Sequence, residues 1–437
     1  MVIDFPIFEA EIRSLLEHKQ VDRIAIAVSG GADSMCLTYL CREWAKTTNT
    51  EIICLIVDHK FRQESTIEAE LIRKTLLDEG LRTEILTFHT KKPKANLHAI
   101  AREERYNLLT NFCKENNIKY LLTAHNRNDQ AETVLMRIFR GTGIDGLAGI
   151  PMHYEINSVS ILRPLLPFSR EEIEATLTYA KWEWVNDPSN LNEKYERSKI
   201  RKLINALPEK QLIISRLNLL AKNSTRAKRF LNSYSNKAYE EISYEGKFGE
   251  INLNKTQFLK LDEEIALRVL TKILNRVSGN HYPPRLESLE LLYNLIRENK
   301  DFIKTLWGCE INTKAETILF YRELNAVEHI KKLIPHQETI WDNRYKLKVT
   351  EELSVGALNQ QGLKTLKSWI KDSPISKITN DDKMEKEGTE DHNKFSEKLP
   401  AKLLYTTPGL FKDGKLVFYP ILSIGLQEYK IDFSRKS

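Results

Sequence analysis

The tightest constraint on this chain is Ser29-Gly30-Gly31-Ala32-Asp33-Ser34, which follows the apolar run Ile24-Ala25-Ile26-Ala27-Val28 and precedes a helix-patterned stretch. A short apolar run bounded by glycine reads as a buried strand, so the local order is strand, glycine turn, helix start. Two glycines let the backbone turn tightly and approach an anion with no Cβ in the way. The unpaired N–H groups of the helix's first turn, aided by its dipole, point at that anion. No Gly-Lys-Ser or Gly-Lys-Thr follows, so the Walker A pattern is a poor description. Hydroxyls and a carboxylate here suit a pyrophosphate leaving group with Mg²⁺ better than a transferred γ-phosphoryl. Asp33 and Ser34 also suit a plain helix cap. Their place at the carboxyl end of the first strand of a parallel sheet favours the phosphate reading.

Further strands are expected at 51–57, 83–88 and 119–123, alternating with helices at 66–78, about 95–115 and about 128–140. This alternation predicts an α/β fold with a doubly wound parallel sheet. Apolar spacings of three and four predict helices across 211–297, and Asp413-Gly414 between apolar runs predicts a hairpin. The expected domains are a catalytic domain at 1–215, a helical middle domain at 216–330 and a small α+β domain at 331–437, with a polar, disordered segment near 380–398.

A chain of 437 residues, 41% of them hydrophobic, can build two or three domains with real cores. The opening residues Met1 to Leu16 pattern as an amphipathic helix carrying Asp4, Glu9 and Glu11, so neither a secretory leader nor a membrane partner is expected. Five scattered cysteines with no Cys-x-x-Cys pair predict a reduced, cytoplasmic chain without a metal cage. Net charge is +6, but 194–237 holds twelve Lys or Arg against two Glu, so that tract carries +10 and the remainder −4. Such a tract is the footprint of a polyanion. Arg226, Lys228 and Arg229 follow Arg216 and Lys222 along it at helical intervals.

Thr123-Ala124-His125-Asn126-Arg127-Asn128-Asp129-Gln130-Ala131-Glu132-Thr133 comes directly after the fourth strand and so reaches the same rim as the glycine turn. Taken singly, His125 is an ordinary loop histidine and Asp129 a helix-terminal charge; as a cluster they point to a site. Arg140-Gly141-Thr142-Gly143-Ile144-Asp145-Gly146 contains a literal Gly-x-Gly-x-x-Gly, but it follows a helix where a dinucleotide fingerprint follows a strand.

The hexapeptide 29–34 resembles the SGGxDS loop of the N-type ATP pyrophosphatases, which cleave ATP between its α and β phosphates and adenylate a carbonyl oxygen. Segment 123–133 is similar to the TAHHxDDQAET signature of the tRNA(Ile)-lysidine synthetases, departing at Asn126 and Asn128. Asn is neither a base nor a strong Mg²⁺ ligand, so the chemistry is expected from Asp129 and His125. Arg140 to Gly149 resembles that family's RGTGxDGLxG, 57–62 its VDHGLR, Ala101 to Tyr106 its ARxxRY, 187–190 its DPSN and Arg197 to Arg201 its RNxxR. Weaker hints lie at Thr305 to Gly308 and Arg322-Glu323.

The resemblance implies ligation of free L-lysine to C2 of the first anticodon cytidine of tRNA(Ile) with anticodon CAU, using ATP and Mg²⁺. It implies ATP binding by Ser29, Gly30, Gly31, Ala32, Asp33, Ser34, Asp58 and Arg102, with Asp33 placing Mg²⁺. Asp33, His125 and Asp129 would be catalytic, while Asp129, Glu132 and Arg140 would hold lysine and cytidine. Arg197, Arg201, Arg226, Lys228 and Arg229 would grip the tRNA. The alternatives are a tRNA thiolase of the same superfamily and a non-catalytic, nucleotide-gated RNA-binding protein. Oligomeric state is left open, a homodimer being one candidate.

Overall fold

Strand β1 (Arg23–Val28) is apolar on both faces, and the first half of the molecule is built around it. Ile24, Ile26 and Val28 enter one buried layer and Ala25 the other, as in a strand covered by helices on both sides. Its parallel neighbours are β2 (Glu51–Asp58), with Ile24 opposite Ile52, and β4 (Tyr120–Leu122), with Ala25 opposite Leu121. With β3 (Arg82–Thr87), β5 (His153–Ile156) and β6 (Val159–Leu162), the sheet order is β3-β2-β1-β4-β6-β5. Only the β5–β6 edge is antiparallel.

The computed structural model describes residues 1–60, 63–87, 97–185, 196–280, 282–298, 300–371, 400–425 and 431–435. They separate into two compact units, Met1–Arg229 and Phe230–Ser437. In the first, α1 (Phe5–Leu15), α2 (Ala32–Thr48), α3 (Gln63–Asp78) and α7 (Arg170–Ala180) cover one face through Phe8, Ile12, Leu37, Ile72 and Ile173. On the other face α4 (Leu97–Glu115) packs Tyr106, Leu109 and Cys113. After β4 come α5 (Arg127–Phe139) and the single turn α6 (Ile144–Leu147). The basic tract forms α8 (Glu196–Ala206) and much of α9 (Lys210–Ile242). The chain builds β1, β2 and β3 outward and only then returns to β4 on the other side of β1. The loops leaving β1 and β4 therefore open a crevice at the switch point of the sheet, and both sequence motifs sit there.

In the second unit, helices across 211–297 are not the whole account. β7 (Ser243–Glu245) and β8 (Ile251–Asn254) interrupt them and join β9 (Phe302–Leu306), β10 (Cys309–Thr313) and β11 (Thr317–Arg322) in an antiparallel sheet. Two strands of three and four residues vanish beside the strong helical period of α10 (Glu263–Ser278) and α11 (Leu286–Arg297), whose Leu270, Ile273, Leu292 and Ile296 cover that sheet. Trp307-Gly308 is the two-residue turn between β9 and β10, with φ of 57° and 75°. Beyond it lie a five-stranded and a three-stranded antiparallel sheet and a helix, Asn359–Lys371. The expected hairpin is there: Pro408–Lys412 pairs with Lys415–Tyr419 across Asp413 and Gly414, both at positive φ as a type I′ turn requires. Segments 187–190 and 380–398 lie outside the described residues. Among the described residues no helix is long and apolar enough to cross a membrane. All five cysteines are buried and unpaired.

Gly30 has φ +79°, and a Cβ on it would collide with Cδ1 of Ile72, whereas a Cβ on Gly31 meets nothing nearer than 3.8 Å. Gly30→Ala is expected to cost on the order of 1–3 kcal/mol in urea denaturation and Gly31→Ala much less. Equal losses would mean that the turn does not depend on this backbone conformation.

Candidate active site

Ser34 ties the first loop together. Its Oγ accepts from the Ser29 N–H at 3.1 Å, donates to the Gly31 carbonyl at 3.0 Å and lies 3.3 Å from Ser29 Oγ. Gly31 is the N-cap of α2 and no side chain caps it. The first-turn N–H groups of α2 are therefore left for an oxyanion. Asp33 does not cap the helix, because its Oδ1 accepts from the Asn126 side-chain amide, 93 positions away, at 2.8 Å.

Asn126 joins the two motifs. While Nδ2 donates to Asp33, Oδ1 accepts the Asp129 N–H at 2.9 Å, and Asp129 Oδ2 accepts the Asn126 N–H at 3.1 Å. This is a capping box at the start of α5 with its cap residue also bonded to the glycine loop. Asn128, the other departure from the family pattern, accepts from the Arg170 N–H at 3.1 Å at the start of α7. Burial first, and then the nearby Asp129 charge, raise the Asp33 carboxyl to about 6. Among the described residues no three His, Cys, Asp or Glu side chains could hold a metal by themselves. A carboxylate disfavoured by burial and by a second carboxylate, beside an uncapped helix start, does fit Mg²⁺ shared with substrate phosphates.

Two residues expected at the RNA take part in this cluster. Arg197 of α8 donates to Asp129 Oδ1 and Glu132 Oε2, both at 2.7 Å, and Arg201 donates to Glu132 Oε1 at 2.6 Å. Glu132, at 3% exposure, is thus occupied on both oxygens. The buried Glu132 and half-buried Asp129 thus engage both arginines within this cluster. Arg140 faces outward and pairs with Glu196, a surface ion pair of small value.

His125 is half-buried, and its Nδ1 accepts from Arg163 Nε at 3.1 Å with Thr123 Oγ1 3.3 Å away. Burial first, then Arg163, Arg102, Arg197 and Arg105, hold its pKa down at about 2. Arg163 was not among the sequence candidates. Its one legible signal is a lone cation in the run Leu162-Arg163-Pro164-Leu165-Leu166, otherwise buried and apolar. Arg102 is exposed, its guanidinium 5.2 Å from the Tyr106 ring. Asp58 is fully engaged: burial would raise its carboxyl, but bonds from Thr66 Oγ1, the Lys60 N–H and Ser65 Oγ at 2.6 to 2.9 Å hold it below its ordinary value. It orders the turn after β2. The glycine-rich loop is clamped to α5 by Gln130, bonded to both polar backbone groups of Ile150, and by Arg137, which donates to the Gly146 and Gly149 carbonyls. Arg226 and Arg229 are exposed on α9, and Lys228 is half-buried.

Residues 5–207 match a family model described as a PP-loop domain. The tRNA(Ile)-lysidine synthase of Wolbachia pipientis wMel is 34% identical over 403 residues, covering 91% of this chain and 88% of that protein. The chain belongs to the tRNA(Ile)-lysidine synthase family. Family members from Anaplasma marginale and Rickettsia bellii are 35% and 32% identical, over 74% and 78% of this chain and 71% and 79% of theirs. Among solved structures, the U34-tRNA thiolase NcsA from Methanococcus maripaludis is similar over 49% of this chain and 78% of that one, with TM-score 0.42 and 20% identity.

Asp33→Asn keeps an acceptor for Asn126 and removes the charge facing Asp129. Because the Asp33 pKa is raised by folding, ionised Asp33 opposes the fold fully above about 6 and progressively less as the pH falls toward 3.8. The variant is expected to be more stable by on the order of 1–3 kcal/mol in Mg²⁺-free urea denaturation at neutral pH, with the gain shrinking through that window. A constant gain at every pH would place the effect elsewhere.

Proposed function

We propose that this chain forms lysidine, joining the ε-amine of L-lysine to C2 of the first anticodon cytidine of tRNA(Ile) with anticodon CAU. The cytosine O2 attacks the α-phosphorus of ATP, forming the O–P bond as pyrophosphate leaves. The amine then attacks C2, the C2–O bond breaks, and AMP departs with that oxygen. The 2.8 Å bond from Asn126 to Asp33 supports this reading most directly, because it brings the phosphate-binding turn and the 123–133 segment into one crevice.

The N–H groups at the start of α2 would hold the β and γ phosphates where charge develops on the leaving group. Mg²⁺, held by Asp33 and phosphate oxygens, would supply further charge neutralisation there. Asp129 would orient the lysine ammonium and accept its proton, since a group of pKa about 10.4 is not a nucleophile at neutral pH. Glu132, more deeply buried than Asp129 and bonded to two guanidinium groups rather than one, would act by fixing Arg197 and Arg201. Arg226, Lys228 and Arg229 would grip the tRNA. A thiolase needs an accessible thiol, and here Cys36, the cysteine nearest the glycine turn in sequence, is buried with its pKa pushed up by that burial. Five unpaired thiols accord with a reducing cytoplasm.

Incubation with labelled lysine, ATP and an unmodified tRNA(Ile) transcript is expected to place the label in one anticodon nucleoside; lysine-independent AMP formation with no labelled nucleoside would sink the proposal. Asp33→Ala is expected to abolish AMP release and leave tRNA binding nearly intact, and equal loss of both would count against the assigned role. Arg226→Glu with Arg229→Glu should weaken tRNA binding by roughly 10-fold or more and flatten its salt dependence by about two charges. An unchanged salt slope in filter binding would remove both residues from the interface.

A further inference from the structure

Arg163 is 2% exposed, yet among the described residues no carboxylate lies within ion-pair distance of it. A buried cation without a counter-charge is costly and calls for another occupation. Its guanidinium is held on three sides: Nε donates to His125 Nδ1 at 3.1 Å, Nη1 donates to the Pro151 carbonyl, and the group lies 4.5 Å from the centre of the Tyr154 ring. The Arg163 N–H also donates to the Met152 carbonyl at 3.0 Å.

A guanidinium has only donors, so the imidazole nitrogen facing it must be bare. We propose that Arg163 is a positioning residue that locks His125 as a neutral imidazole carrying its proton on Nε2, the nitrogen with no bond to a described residue, and so presents a fixed N–H donor to a phosphoryl oxygen of the substrate nucleotide. The identity of that acceptor rests on the adenylation reading; the lock does not.

The four charges acting most strongly on His125 push the same way: Arg163 from the segment after β6, Arg102 and Arg105 from α4, and Arg197 from α8. With burial they keep the ring uncharged across the working pH range. This matters to the chemistry on both sides of the crevice. An imidazolium would be an acid strong enough to return a proton to the lysine amine, whereas a neutral N–H polarises a phosphoryl oxygen without doing so.

The test is ¹⁵N NMR of ring-labelled histidine in the full-length chain. His125 is expected to show a bare Nδ1 and a protonated Nε2, unchanged from about pH 5 to 8. In Arg163→Met burial and three further arginines still oppose the charged ring, so the expected change is in the tautomer, with the proton shared between Nδ1 and Nε2. The AMP-forming rate at saturating ATP should fall roughly 10- to 100-fold, with less than about a 3-fold change in KM for ATP. Arg163→Lys, which keeps a charge and a donor, should recover part of the rate and the Nε2–H tautomer. A wild-type His125 that titrates between about pH 5 and 8, or carries its proton on Nδ1, overturns the proposal, and this measurement decides even if Arg163→Met does not fold. A variant that folds with the tautomer and the AMP-forming rate unchanged overturns it as well. Absence of AMP formation in wild type, with the Nε2–H signature in place, would instead remove the adenylation reading and leave the lock standing.

Discussion

One amide side chain holds this site together. Asn126 donates to Asp33 at 2.8 Å and accepts from the Asp129 N–H at 2.9 Å, so loops from β1 and β4 become one object. A parallel sheet brings the carboxyl ends of neighbouring strands close but does not set the relation between their loops. That relation needs a bond across the crevice, and the residue making it is the one that departs from the histidine of the family pattern. A single planar amide can donate and accept at once without itself titrating, so the pH dependence of the link comes from Asp33 alone.

The electrostatics follow from the same confinement. Arg102, Arg105, Arg163, Arg170, Arg197 and Arg201 act on Asp33, His125, Asp129 or Glu132, and three of those four are carboxylates, leaving a surplus of three positive charges. Glu132 is satisfied by two arginines and Asp129 by one, while Arg163 has no acidic partner among the described residues. The surplus is therefore concentrated around His125, on the α4 and β6 side of the crevice. A triphosphate and an RNA backbone would complete that charge balance, which a small neutral substrate could not.

The parallel sheet was legible because β1 and β2 are apolar on both faces, a pattern that only double-sided burial explains. The glycine turn and the Asp413-Gly414 hairpin were legible because each demands backbone conformations few residues adopt. Pairings across long stretches of chain were not. Arg197 meets Asp129 across 68 positions and Arg163 meets His125 across 38, and no local period encodes either. Charge density grouped Arg197 and Arg201 with Arg226 and Arg229 and could not show that the first two also bond carboxylates while the last two are exposed. The strands β7 and β8 were hidden for a different reason, being too short to register against the helices around them.

Burial acts on the two central ionisable groups in opposite directions and with one result. It raises Asp33 to about 6 and lowers His125 to about 2, pressing both toward their neutral forms. A crevice that disfavours its own charges gives strong weight to charges delivered by substrates, because each is poorly screened there. On this view the departures at Asn126 and Asn128 cost the site little. Neither position carries charge or a proton; each makes hydrogen bonds that fix helices α5 and α7. A histidine at 126 would add a titrating ring beside Asp33, and an aspartate at 128 a carboxylate at the start of α7; the amides supply the geometry without either charge.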